Sequence, residues 1–230
     1  MGHSCIICRN LGSIKVHGIR IDFSQSTFLD ESIMLIFAKD LRILGVDDGP
    51  FVRGVDKVCP MVGVLMRLDG KIENIAADSL SIDGGDVAGK ISGLMDMLKI
   101  RPSVVMSEGI TFAGFNILDP EEFYGRTGVP FLSVRKGKPD ITAMIMAIRK
   151  YERDAFIKES TLRKINPDSM NLGGAEITAN YAGMTHEDAR KLLLRTLGDG
   201  ILPEPVRLAH IVASTIYGYA HAIEKRDPDP

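Results

Sequence analysis

Acidic residues stand where apolar runs give way to turn residues. Asp47 and Asp48 follow Leu41-Arg42-Ile43-Leu44-Gly45-Val46, Glu108 follows Ser103 to Ser107, and Asp83 and Asp86 flank Gly84-Gly85. If the first two runs are parallel neighbouring strands, their ends lie about 5 Å apart and Asp47 faces Glu108. Ligands of open α/β sheets collect at the carboxyl ends of strands. Carboxylates gathered there repel each other unless a proton or cation lies between them, and Mg²⁺, or Mn²⁺ in its place, is the hard partner for oxygen ligands. The third acid is Asp86 or Asp83. Taken singly, each of these acids has a plainer use as an Asx turn or helix cap; three junctions meeting at one sheet edge favour a metal.

Basic residues lie elsewhere. Leu41 to Gly125 carries 8 basic and 13 acidic residues, whereas Arg126 to Lys164 carries 10 basic and 4 acidic. An acidic metal-holding half beside a basic half suits a phosphodiester, with the metal on the scissile phosphate and Lys or Arg on its neighbours. Arg149, Lys150 and Arg153 read as a solvated helix face. Arg135-Lys136 differs, because it directly follows the buried run Phe131 to Val134.

Other motifs compete. Gly84-Gly85-Asp86-Val87-Ala88-Gly89-Lys90 fits the phosphate-cradling G-x-x-x-x-G-K pattern, but Ile91 stands where the Mg²⁺-ligating Ser or Thr belongs. Cys5 and Cys8, with His3 and His17, could supply zinc ligands, although a single C-x-x-C is a weak signal. Ser107 lacks a nucleophile elbow. His210, on an otherwise apolar helix, reads as a core histidine or, more sharply, as a substrate contact.

These residues need a scaffold. Leu41 to Val46, Met61 to Leu68 and Ile72 to Leu80 read as strands, the last two joined by the hairpin signal Asp69-Gly70. Helical spacing covers Asp86 to Leu98, and Pro120 to Thr127 is a short helix with acids in its first turn. Ser103 to Ser107 and Phe131 to Val134 are buried strands. Helices follow at about 140–156, at His186 to Leu197 and at Pro205 to Ala222. The order predicts an α/β protein with a ribonuclease H-like five-stranded mixed sheet, a three-strand antiparallel meander plus two parallel strands. Right-handed crossovers place helices on both faces.

The 230-residue chain is 45% hydrophobic and 25% charged with a net charge of −2, which excludes fibrous, largely disordered and wholesale polycationic classes. No run approaches the roughly 20 apolar residues of a membrane span. Three cysteines make no disulfide framework, so a reduced, cytoplasmic protein is expected.

Three blocks carry a family resemblance: Gly45-Val46-Asp47-Asp48-Gly49-Pro50-Phe51, Glu108-Gly109-Ile110-Thr111-Phe112-Ala113-Gly114-Phe115-Asn116, and Pro203-Glu204-Pro205-Val206-Arg207-Leu208-Ala209-His210. Together they resemble the archaeal endonuclease dU family, a relative of endonuclease V, from about Met34 to the final helix. The resemblance implies a ribonuclease H-like fold and Mg²⁺-dependent nicking of DNA at deoxyuridine, with DNA containing deaminated bases as partner. It implies Asp47, Asp86 (or Asp83) and Glu108 as metal ligands and Lys136 beside Arg135 as the basic group. An everted base would meet a pocket walled by Phe112 to Phe115, with Asp48, Thr111, Phe112, Asn116, Arg135, Arg207 and His210 as substrate contacts. The chain departs from the family at Glu108, where aspartate is usual. It departs from endonuclease V at Val206, where that enzyme has a histidine. On this reading residues 34–226 form one domain, 1–33 are an extension that is poorly ordered or precedes a natural start at Met34, and 227–230 are a tail. Two alternatives stay open: a P-loop-like nucleotide-binding protein, and a non-catalytic nucleic-acid-binding protein of the same fold.

Overall fold

The computed structural model describes residues 13–16, 19–22, 41–152, 154–172, 174–198 and 200–224. The first two of these pair as a small antiparallel hairpin, β1 (Ser13–Val16) and β2 (Ile19–Asp22). The cysteine and histidine positions 3, 5, 8 and 17 fall outside the described residues.

β3 (Arg42–Asp48), β4 (Val58–Arg67) and β5 (Ile72–Ser81) form the expected meander. Its second turn uses Gly70 at φ 88°, a conformation that glycine adopts without a Cβ clash. Helix α1 (Val87–Leu98) buries Val87, Ile91, Leu94 and Leu98 on one face and crosses to β6 (Val104–Glu108), which pairs with β3 in parallel. A tight hairpin, β7 (Thr111–Phe112) and β8 (Asn116–Ile117), precedes α2 (Pro120–Thr127), whose start is capped by Asp119. β9 (Phe131–Lys136) then pairs with β6, again in parallel.

Two features depart from the sequence reading. The helix expected over 140–156 divides into α3 (Ile141–Tyr151) and α4 (Ala155–Lys164). Glu152 takes extended backbone there, and its carboxylate accepts from the buried Lys158 Nζ at 2.5 Å. The sheet has seven strands rather than five, in the order β10-β11-β9-β6-β3-β4-β5, because β10 (Asp168–Leu172) and β11 (Ala175–Ala182) extend it beyond β9. The Gly173-Gly174 pair between them is a hairpin signal present in the sequence.

α5 (His186–Thr196) and α6 (Glu204–Glu224) complete the chain. One face of the sheet packs under α1 to α4, through residues such as Leu44, Val105, Phe123, Phe131 and Ile148. The other packs under α5 and α6, through Ile43, Met106, Leu132, Leu193 and Val206. Helices therefore cover both faces, and none of the described helices is long and apolar enough to cross a membrane.

Candidate functional site

Residues at the carboxyl ends of β3, β6 and β9 meet in a cavity of about 460 Å³. The parallel register Val46↔Ser107 sets Asp47 beside Glu108 on neighbouring strands. Side chains alternate along a strand, so these two point to the α6 face together with Lys136, while Asp48 and Arg135 point to the α1–α4 face. The cavity straddles the sheet edge and collects all five, with Thr111 and His210 at its rim.

His210 arrives by close helix packing. A Cβ on Gly45 would lie 2.2 Å from the Pro205 carbonyl carbon, so only glycine lets α6 rest on β3 at this point. About one helical turn further along, His210 Nδ1 is hydrogen-bonded to Asp47 Oδ2 at 2.8 Å. Val206, the position where the resemblance looked for a histidine, is fully buried. His210 is no core histidine, since its side chain is 56% exposed.

Charge in the cavity is unbalanced. Burial, then the neighbouring Asp48, pushes the Asp47 carboxyl up to about 7, against the opposing hydrogen bond from His210. Asp48 is raised as well, first by burial and partly offset by the Ala113 N–H it accepts at 2.9 Å. Glu108 is exposed at the rim. Among the described residues, Arg135 and Lys136 have no carboxylate within ion-pair reach. Asp47, Asp48 and Glu108 bring hard carboxylate oxygens to one cavity, donors of the type Mg²⁺ takes. Among the described residues, no three His, Cys, Asp or Glu side chains close around a metal position.

The expected set of Asp47, Asp86 and Glu108 therefore does not assemble, and Asp86 is the member that stands apart. Its carboxylate accepts from Ser81 Oγ at 2.8 Å and from Asn116 Nδ2 at 2.6 Å, and β4 separates β5 from β3. Asp83 is also engaged elsewhere, paired with Arg53 and accepting from the Phe115 N–H. Two substrate-contact expectations, Phe112 and Asn116, are corrected too. Phe112 is 1% exposed within the core. Asn116 is fully buried and spends its amide on Val87 N–H, the Ser81 carbonyl and Asp86. Arg207, half-exposed and paired with Glu204 on the first turn of α6 at 2.6 Å, lies outside the cavity lining.

The P-loop reading fails on topology. β5 is an antiparallel edge strand, and Lys90 is bound to Asp78 at 2.9 Å. Ser107 is buried with its hydroxyl donating to the Gly109 carbonyl, which leaves no nucleophile there.

A mixed sheet of this order, with acids at adjoining ends of its central parallel strands, defines the ribonuclease H-like class. Residues 39–217 match the endonuclease dU family, and the chain belongs to that family. A UPF0215 protein of Thermoplasma volcanium is 38% identical over 176 residues, covering 76% of this chain and 90% of that one. A UPF0215 protein of Methanopyrus kandleri is 34% identical over 77% of this chain and 91% of its own. A crystal structure of an Archaeoglobus fulgidus protein superposes with a TM-score of 0.66 at 29% identity, covering 76% of this chain and 97% of that one. Endonuclease V of Ciona intestinalis shares the fold, with a TM-score of 0.54 at 11% identity over 80% and 88% of the two chains.

Proposed function

We propose that this chain is a Mg²⁺-dependent endonuclease that nicks DNA at deoxyuridine by hydrolysing a phosphodiester bond. The observation that supports this best is one cavity holding Asp47 and Glu108 side by side with Arg135 and Lys136, which have no ion-pair partner among the described residues. Family membership favours the activity and the base, and the Ciona endonuclease V structure contains a 24mer DNA with an inosine followed by a ribo-adenosine.

Mg²⁺ commonly takes one or two carboxylates, several waters and substrate phosphate oxygens, so two carboxylates suffice. Asp47 and Glu108 would hold it, and Asp86 is not needed. When bound, the ion would lower the pKa of a coordinated water and offset charge on the phosphate. The side chains of the protein do the rest. His210 orients the Asp47 carboxyl through their hydrogen bond. Lys136 and Arg135 neutralise the phosphates on either side of the scissile bond, as charge-assisted donors. The damaged base leaves the stack, because a duplex hides its edge.

Labelled oligonucleotides containing one uracil, one hypoxanthine or neither, incubated with Mg²⁺ or with EDTA, test the reading. Uracil-directed nicking in Mg²⁺ alone is expected. Asp47→Asn should reduce it by at least roughly 10³-fold, corresponding to several kcal/mol of transition-state stabilisation. Full activity in EDTA, or in Asp47→Asn, overturns it. DNA binding without turnover in any divalent metal would favour the non-catalytic alternative.

A further inference from the structure

A second, smaller cavity opens beside the first on the α1–α4 face and shares Gly109, Thr111 and Arg135 with it. Its far walls are apolar, with Ile141 and Met144 on the first turn of α3 and Ile165 after α4. Asn180 of β11 also lines it and is 8% exposed. Asn180 Nδ2 donates to Ser133 Oγ at 3.2 Å, across the Ser133↔Asn180 pair of β9 and β11. Its Oδ1 is buried and has no hydrogen-bond partner among the described residues. A buried amide oxygen left without a donor costs free energy, so it marks a place where a donor is expected to arrive.

From this geometry we infer that Asn180 Oδ1 reads the ring N–H of a deaminated base everted into this cavity. The inference rests on the function proposed above and adds a residue that separates a deaminated base from the amino base it came from. Deamination has a defined effect on hydrogen bonding. Cytosine and adenine present a bare ring nitrogen, an acceptor, beside an exocyclic amine. Uracil and hypoxanthine present a ring N–H, a donor, beside a carbonyl. An oxygen meets the second pattern with a hydrogen bond and the first with lone-pair repulsion. Ser133 is the positioning residue: its hydroxyl donates to the Asn180 main-chain carbonyl at 3.5 Å and so meets the side-chain amide as an acceptor, which keeps Nδ2 on Ser133 and Oδ1 available to accept. The sheet edge then divides the work. The phosphate sits toward Asp47, Glu108 and Lys136 on the α6 face, while the base passes over Gly109 and Thr111 to the opposite face. The cavity measures about 20 Å³, room for roughly one water, so Ile141 and Met144 must give way as the base enters.

The test compares uracil with cytosine at one position of otherwise identical oligonucleotides. It measures nicking in Mg²⁺ and binding in EDTA, for the wild-type chain, Asn180→Leu and Ser133→Ala. The ratio of the two substrates within one variant does not depend on the fraction folded, so partial misfolding does not obscure it. The uracil-over-cytosine ratio should fall roughly 10- to 100-fold in Asn180→Leu by both readouts. It should fall by a smaller factor in Ser133→Ala, where the amide can rotate. A wild-type preference that persists at full size in Asn180→Leu overturns this inference and leaves the proposed function standing. A wild-type protein that neither nicks at uracil nor binds it in preference to cytosine overturns both.

Discussion

Asp47 bears the largest electrostatic load at the residue scale, with a folded-state pKa of about 7 against an ordinary 3.8. Between about pH 4 and pH 7 the folded chain therefore holds more protons here than the unfolded chain. Stability falls as pH rises across that window and levels off above it. Asn at this position cannot ionise, so metal-free Asp47→Asn should melt several degrees above wild type at pH 8, at roughly 2–4 °C per kcal/mol. The gap should close toward pH 4, and calorimetry at both pH values checks it. Added Mg²⁺ should raise the melting temperature of wild type and leave the Asn variant nearly unmoved; an equal response in both would remove Asp47 from the ion's ligands. His210 belongs to this scale too. Its place in a Pro-Val-Arg-Leu-Ala-His run left core and contact readings open, because the sequence does not show what lies opposite a helix face.

The block Glu108 to Asn116 acts at the element scale as a clasp more than as a binding surface. Ala113 N–H reaches Asp48, Phe115 N–H reaches Asp83, and the Asn116 side chain ties β5 to the start of α1. This explains why so specific a motif contains residues that cannot touch substrate: their types are set by loop geometry around the site. Asn116→Ala leaves the buried Val87 N–H without its acceptor and should cost about 1–3 kcal/mol in urea denaturation. DNA affinity of the folded fraction should stay unchanged, whereas weakened affinity would return Asn116 to the binding surface. Gly45→Ala drives a methyl into the backbone at Pro205. Overpacking of this kind costs about 1–3 kcal/mol. Because the same shift carries His210 away from Asp47, nicking should fall further than stability alone accounts for; unchanged turnover in the folded variant would show the contact to be slack.

The charge layout makes its prediction at the scale of the whole molecule. The chain is close to neutral overall, yet Arg135 and Lys136, with no ion-pair partner among the described residues, line the same strand-end cavity as the acids. Each phosphate contact contributes about −0.9 to the slope of log affinity against log salt concentration on duplex DNA. Replacing both Arg135 and Lys136 by alanine should flatten that slope by about 2, as read from a fluorescence-anisotropy salt titration. Removing Lys150 from the outer face of α3 should change it little; comparable losses from both would mean a diffuse basic surface and no defined phosphate track. At this scale five of the seven strands were legible in the sequence. β10 and β11 were missed although Ala175-Glu176-Ile177-Thr178-Ala179-Asn180-Tyr181 alternates apolar with polar residues: β10 is short and largely polar, and the alanines and asparagines of the pair are poor strand formers that make the alternation weak.

Local patterns in the sequence determined where strands end in acids, where the basic pair lies and which fold class joins them. Those features depend on periodicity, turn chemistry and residue type over a few neighbouring positions. Tertiary structure decided which acids meet. Asp47 joins Glu108 through parallel pairing of β3 with β6, and it joins His210 across 163 residues. Asp86 is turned away by a hydrogen bond to Asn116, 30 residues along. The direction in which a side chain points follows from packing partners distant in sequence, and no local pattern encodes it.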